Sequence, residues 1–140
     1  MKNVFLSGFL LLVLSAVSCN GQPENKQAVI ATSGNDVEVY YFHMTTRCVT
    51  CRTVEAETRK NIELLYSDQF KAGRISFIAL NLEEETGRAA GERLGVSGQT
   101  LLIVKGDQRI NITNEGFLYA VSKPDKFMDI IKEKIDPLIK

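Results

Sequence analysis

The spacing of apolar and polar residues predicts alternating strands and helices along most of the chain. From Val37 to Phe42 every residue is β-branched or aromatic except Glu38. This pattern predicts a strand buried on both faces, as in the centre of a parallel sheet. Between Cys48 and about Ser67 apolar side chains recur at helical spacing, with charged residues on the other face. We expect a long helix there, with Thr46 as its N-cap.

The rest of the chain continues this alternation. The predicted elements are a strand over 74–82, a helix over 83–94 stopped by Gly95, strands over 100–105 and 108–113, and a helix from Pro124 to Pro137. The pair Gly106-Asp107 predicts a tight turn, so the last two strands form an antiparallel hairpin. Strand–helix–strand units with such an edge hairpin predict an α/β fold, a mixed sheet between layers of helices.

The N-terminus has the pattern of an export signal. Lys2 precedes an almost unbroken apolar run over 4–17, which is shorter than the roughly 20 residues that a membrane-spanning helix needs. The run ends in Ala16-Val17-Ser18-Cys19, which resembles the lipobox of bacterial lipoproteins. That resemblance implies acylation of Cys19 and a location on the periplasmic side of a bacterial membrane. The alternative is an ordinary secretory signal with an incidental cysteine.

This interpretation divides the chain into a signal peptide (1–18), a flexible tether (19–35) and one domain (36–140). The tether is rich in Asn, Gln, Gly, Ser and Lys, although Ala28–Ala31 could add a short strand. The domain is long enough for one compact core. With 17 basic and 17 acidic residues, the chain has no basic field for nucleic acid, and we expect no nucleic-acid partner.

The pair Cys48 and Cys51 is the strongest candidate for chemistry. It lies at the seam between the first predicted strand and the long helix, where backbone N–H groups without helical partners and the helix dipole stabilise a thiolate. The charge of Arg47 should add to this effect. We therefore expect Cys48 to attack a disulfide and Cys51, one turn later, to resolve the mixed disulfide.

Other interpretations of the pair remain open. Structural zinc needs four ligands, and the chain offers two Cys here and one His, so we predict no zinc site. Cu(I) or trivalent arsenic could bind the two thiolates with help from Met44 or His43, which would make the chain a carrier or an accessory subunit. His43 is also a candidate for proton transfer or a solvated loop residue. Thr50 could donate a hydrogen bond to a thiolate or only fill space.

Cysteine usage favours redox chemistry. If Cys19 carries a lipid, Cys48 and Cys51 are the only thiols of the mature protein. In an oxidising compartment a Cys-x-x-Cys pair suits exchange, because closing so short a loop adds little stability.

The chain from about Val37 to Ile139 resembles thioredoxin-like proteins. The resemblance rests on the order of elements, the position of the cysteine pair and three local runs. These runs are Ala79-Leu80-Asn81-Leu82, Leu94-Gly95-Val96 and Thr100-Leu101-Leu102. It implies a thiol–disulfide oxidoreductase with Cys48 and Cys51 as its redox cysteines. Such an enzyme needs no organic cofactor, and its partners are a protein disulfide and an upstream thiol donor.

Three departures from that family are visible. Gln99 stands where the family has a cis-proline, and a cis bond before a residue other than proline costs several kcal/mol, so we expect a trans or rearranged loop. Thr45-Thr46-Arg47 replaces the family's Trp before the first Cys, and the aromatic run Tyr40–Phe42 replaces a buried Asp. A narrower resemblance, through Tyr41-Phe42-His43 and the segment 47–51, is to the nitroreductase subunit ArsF family.

Overall fold

The structure is a computed structural model that describes residues 36–140. The predicted signal peptide, the tether with its strand at Ala28–Ala31, and Cys19 lie outside the described residues. In this range the predicted order of strands and helices is confirmed, with two additional helices. The strands are β1 (Val37–His43), β2 (Ile75–Asn81), β3 (Thr100–Lys105) and β4 (Gln108–Asn111). The helices are α1 (Val49–Leu65), α2 (Ser67–Lys71), α3 (Glu85–Leu94), α4 (Thr113–Tyr119) and α5 (Pro124–Ile135), followed by a 3₁₀ turn (Asp136–Leu138).

The described strands form one mixed sheet in the order β2-β1-β3-β4. Strand β1 runs parallel to β2, with Val37 opposite Ile75 and His43 opposite Asn81. It runs antiparallel to β3, and β3 pairs with β4 as the predicted antiparallel hairpin. A mixed sheet with an antiparallel edge hairpin and helices on both faces is the α/β architecture predicted from the sequence, and the structure confirms it.

The two faces of β1 enter different clusters of buried side chains. Because side chains alternate along a strand, Val39 and Tyr41 pack on one face with residues of α1 and α5, such as Val54 and Phe127. Tyr40 and Phe42 pack on the other face, and that cluster also contains Ala90 and Leu94 of α3. Strand β1 is thus buried on both sides, as predicted, and its C-terminal end leads directly to the cysteine pair.

Two local predictions are wrong. The N-cap of α1 is Cys48 and not Thr46. The second error concerns the end of the hairpin, where β4 stops at Asn111 and Thr113 begins α4, a helix that the apolar pattern does not predict. Polar contacts end the strand here. The Asn111 side chain accepts hydrogen bonds from both the backbone N–H and the hydroxyl of Thr113, at 3.0 and 2.6 Å. These bonds turn the chain away from the sheet.

Helix α4 packs closely on the site-bearing part of the core. Gly116 lies where a Cβ atom would be 3.1 Å from a methyl group of Val54 and 3.4 Å from one of Leu101. In residues 36–140 no helix is both long and apolar enough to span a membrane.

Candidate active site

Cys48 lies at the N-terminal end of α1 with its thiol exposed. Its backbone is extended (φ −74°, ψ 169°), and its Sγ accepts a hydrogen bond of 3.3 Å from the backbone N–H of Cys51. A side chain that accepts from the third residue of a helix is an N-cap. The motif therefore caps its own helix with sulfur, and the charged form of that sulfur gains from the helix dipole.

Cys51 lies one turn further along α1 and is only 7% exposed. Its thiol donates to Oε1 of Gln99 at a sulfur–oxygen distance of 3.6 Å. Its backbone carbonyl accepts a hydrogen bond of 2.9 Å from the hydroxyl of Tyr41. Nε2 of Gln99 in turn donates to that hydroxyl at 2.6 Å. Cys51, Gln99 and Tyr41 thus form a closed ring of hydrogen bonds, which we call the Cys51 ring.

Burial and hydrogen bonding act in opposite directions on the titratable groups of this ring. Burial raises the pKa of the Cys51 thiol, but hydrogen bonds involving the Cys48 and Gln99 side chains outweigh it, so the pKa lies below its usual value. Burial also raises the pKa of Tyr41, to about 12, against the opposing hydrogen bond from Gln99. Tyr41 therefore stays a neutral phenol near neutral pH.

The loop before Cys48 is held by the end of β2. Nδ2 of Asn81 donates to the Thr45 hydroxyl at 2.9 Å, and the Thr45 N–H donates to a carboxylate oxygen of Glu83 at 2.7 Å. The hydrogen bonds from Thr45 lower the pKa of Glu83. Gly87 of α3 packs against the backbone of Asn81 so closely that a Cβ atom would be 1.9 Å from the Asn81 carbonyl oxygen. The position of Cys48 thus depends on contacts from a neighbouring strand and helix.

Arg47 directs its guanidinium group towards α1. It forms an ion pair with Glu55, and its Cζ lies 5.9 Å from the centre of the Tyr41 ring. Both partners of the pair are largely buried, at 18% and 23% side-chain exposure. Much of the Arg47 charge is therefore neutralised by Glu55, and its expected effect on Cys48 stays a prediction.

The other predicted residues occupy more peripheral positions. His43 is half-buried, with Nδ1 3.0 Å from the backbone oxygen of Met44 and its ring 6.1 Å from that of Tyr41. Thr50 is half-buried in the first turn of α1, and no hydrogen bond of its side chain occurs within residues 36–140. Gln99, by contrast, lies directly against Cys51, and no peptide bond of the described residues is cis. The expected trans loop is confirmed.

Three residues of the site are not predicted by the sequence patterns: Tyr41, Glu55 and Asn81. For Tyr41 a signal was available, because a strand's period of two places it on the same face as Val37 and Val39, the face on which α1 packs. The Arg47–Glu55 pair and the bonds from Asn81 to the loop depend on tertiary contacts, and the sequence carries no local signal for them.

The described residues contain no group of three or more His, Cys, Asp or Glu side chains that could hold a metal ion. A soft ion at Cys48 and Cys51 would therefore have two sulfur ligands and would need a neutral donor such as Met44, which is 41% exposed. That set suits Cu(I) better than zinc.

The solved structures that are similar to this chain include two that align over most of its length. Thioredoxin O2 from Arabidopsis thaliana, in its oxidised state, aligns with a TM-score of 0.49 and 19% identity over 76% of this chain and 78% of that one. A structure described as a malarial protein aligns with a TM-score of 0.44 and 19% identity, over 70% of this chain and 96% of that one. No protein-family model and no curated protein matches the sequence. What the site can do therefore rests on its own geometry.

Proposed function

We propose that this chain is a thiol–disulfide oxidoreductase that acts on disulfides of partner proteins. The observation that carries the proposal is the contrast within one helical turn. The Cys48 thiol is exposed and caps α1, while Cys51 is buried behind it and donates its backbone N–H to the Cys48 sulfur. An accessible, dipole-stabilised sulfur followed by a protected one is the arrangement that exchange in two steps requires.

In the first step the Cys48 thiolate attacks one sulfur of a partner disulfide. The partner's S–S bond breaks, a mixed disulfide forms, and the other partner sulfur leaves as a thiolate that takes up a proton. In the second step Cys51, as a thiolate, attacks the Cys48 sulfur, and the second partner thiol departs. The partner gains two electrons, and the Cys48–Cys51 disulfide is reduced again by an upstream thiol donor.

The surface around Cys48 supports binding of a polypeptide. Val49 is 72% exposed and Met44 is 41% exposed, and both are near neighbours of Cys48 in sequence. Exposed apolar side chains beside a nucleophile offer contact area to an extended segment of a partner.

The direction of electron flow depends on the reduction potential of the pair, for which 30 mV corresponds to about 1.4 kcal/mol.

An insulin-reduction assay on the full chain tests this proposal. We expect turnover by the wild type and loss of turnover in Cys48→Ala and in Cys51→Ala, since both sulfurs are needed for a cycle. Cys19→Ser is the matched control, because it removes the third cysteine without touching the pair, and it should keep full turnover. Absence of turnover together with stoichiometric binding of Cu(I) or arsenite would overturn the proposal and support the carrier or accessory subunit.

Attachment to a membrane is a second part of the proposal, and it is supported by the lipobox-like run that ends at Cys19. We propose a lipoprotein on the periplasmic side of a bacterial membrane. Labelling of cells with a tagged fatty acid should mark the wild type and not Cys19→Ser. Equal labelling of the two, or labelling of neither, would remove this part and leave the exchange chemistry intact. The narrower resemblance to the nitroreductase subunit ArsF family stays a prediction.

A further inference from the structure

The hydrogen bonds of the Cys51 ring suit the protonated thiol of Cys51 and not its thiolate. In the structure Oε1 of Gln99 accepts a hydrogen bond from the Cys51 thiol. Once the thiol ionises it has no proton to donate, and Oε1 would face a negatively charged sulfur, so the thiolate needs a hydrogen-bond donor at this position instead. One carboxamide carries both an acceptor and a donor, and a half-turn about its terminal bond exchanges them in place.

The surroundings allow that half-turn without leaving a buried group unpaired. With Nε2 towards Cys51, Oε1 of Gln99 takes the position now held by Nε2, which lies 2.6 Å from the Tyr41 hydroxyl. The Tyr41 hydroxyl then donates to Gln99 instead of to the Cys51 carbonyl. That carbonyl lies in the first turn of α1, where the helix itself supplies an N–H four residues later. Tyr41 keeps its proton throughout, because burial raises its pKa to about 12.

We infer that Gln99 is a positioning residue whose carboxamide turns over with the protonation state of Cys51, accepting from the thiol and donating to the thiolate. This inference rests on the proposed exchange function. In the resolving step the Cys51 thiol loses its proton to solvent, Gln99 turns its Nε2 to the thiolate, and the thiolate attacks the Cys48 sulfur. The departing partner thiolate takes a proton from solvent, so protons and electrons balance.

Within residues 36–140 no charged side chain replaces Gln99 in this role. From α1, the Cys48 side chain forms a hydrogen bond with Cys51, but it is in the mixed disulfide when resolution occurs. From β1, Tyr41 faces Cys51 and is neutral. Arg47 and Glu55 act on Tyr41 and are paired with each other. A donor to the Cys51 thiolate at that moment must therefore come from Gln99 or from the backbone.

Reaction of the reduced full chain with 5,5′-dithiobis(2-nitrobenzoate) tests the inference. The first release of thionitrobenzoate reports capture by Cys48, and the second reports resolution by Cys51. Gln99→Met removes donor and acceptor at similar length, and Gln99→Glu keeps an acceptor without a donor. We expect capture rates within twofold of wild type in both. Resolution should slow about tenfold, the effect of one hydrogen bond to a charged group, and its pH midpoint should rise.

Gln108→Met is the matched control, because Gln108 is an exposed glutamine of β4 and both rates should equal those of the wild type. Unchanged resolution rate and pH midpoint in folded Gln99→Met and Gln99→Glu would overturn the inference. A wild type that releases no second thionitrobenzoate would instead refute the proposed function, so the two failures are distinct.

A measurement on the unsubstituted ring does not depend on how well a variant folds. With Cys48 blocked by S-methylation, the side-chain ¹⁵N signal of Gln99 is followed by NMR through the titration of Cys51. We expect it to shift with the same pH midpoint as the Cβ signal of Cys51. A Gln99 signal that stays constant across that midpoint would overturn the inference.

Discussion

The surroundings of Cys48 and Cys51 differ although the two residues are one helical turn apart. Cys48 is exposed, and its position is set by backbone geometry and by a loop that Asn81 holds in place. Cys51 is buried, with Gln99 bonded to its thiol and Tyr41 bonded to its backbone carbonyl. Disturbing the loop should therefore change where the first sulfur lies, whereas disturbing the buried side chains should change how readily the second sulfur ionises.

The largest effect should come from breaking the support of the Cys48 loop at Gly87. A Cβ atom at this position would lie 1.9 Å from the Asn81 carbonyl oxygen and 2.5 Å from its carbon, so Gly87→Ala forces α3 and β2 apart. We expect a loss of about 3 kcal/mol in the free energy of unfolding. Alanine within a helix is otherwise more favourable than glycine. A loss of stability in Gly87→Ala therefore reports the clash with Asn81 and not helix propensity.

Chemical denaturation of Gly87→Ala and of a control, Gly98→Ala, measures this loss. Gly98 has nothing within 4 Å of a Cβ atom, so its substitution should change stability by less than about 0.5 kcal/mol. Equal stabilities of the two variants would show that the packing of Gly87 on Asn81 does not hold the loop.

A smaller effect is expected on the Cys51 side from Tyr41→Phe. The substitution removes a buried hydroxyl that bonds both Gln99 and the Cys51 carbonyl. Nε2 of Gln99 then loses its acceptor, and leaving such a group unpaired costs about 1–3 kcal/mol. Tyr119→Phe is the control, because the Tyr119 hydroxyl makes no hydrogen bond within residues 36–140. In thermal and denaturant unfolding at pH 7, Tyr41→Phe should be less stable than the wild type, and Tyr119→Phe should be as stable as the wild type.

The same variant carries a pH signature. The pKa of Tyr41 is raised from 10.0 to about 12 in the folded state, so its contribution to stability is complete below pH 10 and is lost as pH rises through 12. Two pKa units correspond to about 3 kcal/mol. Wild-type stability should fall more steeply between pH 10 and 12 than that of Tyr41→Phe. If stability fell with pH equally in the wild type and in Tyr41→Phe, burial would not raise the pKa of Tyr41.

The apolar pattern was sufficient for the sheet, since every strand from β1 to β4 lies within two residues of its prediction. It failed where polar side chains decide the backbone. The sulfur of Cys48 replaced Thr46 as the N-cap, and Asn111 turned the chain into α4 through bonds to Thr113. The cysteine pair was identified because its chemistry is local in sequence. The Cys51 ring was not identified, because Gln99, just before β3, and Tyr41 of β1 come together only in the folded sheet.

The smallest expected effect concerns Arg47, whose charge was predicted to activate Cys48. The pairing of Arg47 with Glu55 implies that the guanidinium is largely neutralised. We therefore expect Glu55→Gln, which frees this charge, to increase the rate of Cys48 alkylation by iodoacetamide about twofold, the effect of a weak charge interaction of ~0.4 kcal/mol. The assay uses a Cys51→Ser background, so that only one thiol of the pair reacts.

Two further variants make this prediction specific. Glu63→Gln removes an acid from an exposed pair with Arg59 on the same helix and should leave the alkylation rate unchanged. Arg47→Gln should lower the rate by less than the twofold gain of Glu55→Gln, because Glu55 already cancels most of that charge. The gain in Glu55→Gln should disappear at about 1 M salt, where charges more than roughly 3 Å apart are screened. A strong loss of rate in Arg47→Gln would instead mean that the guanidinium acts on Cys48 directly, despite its ion pair.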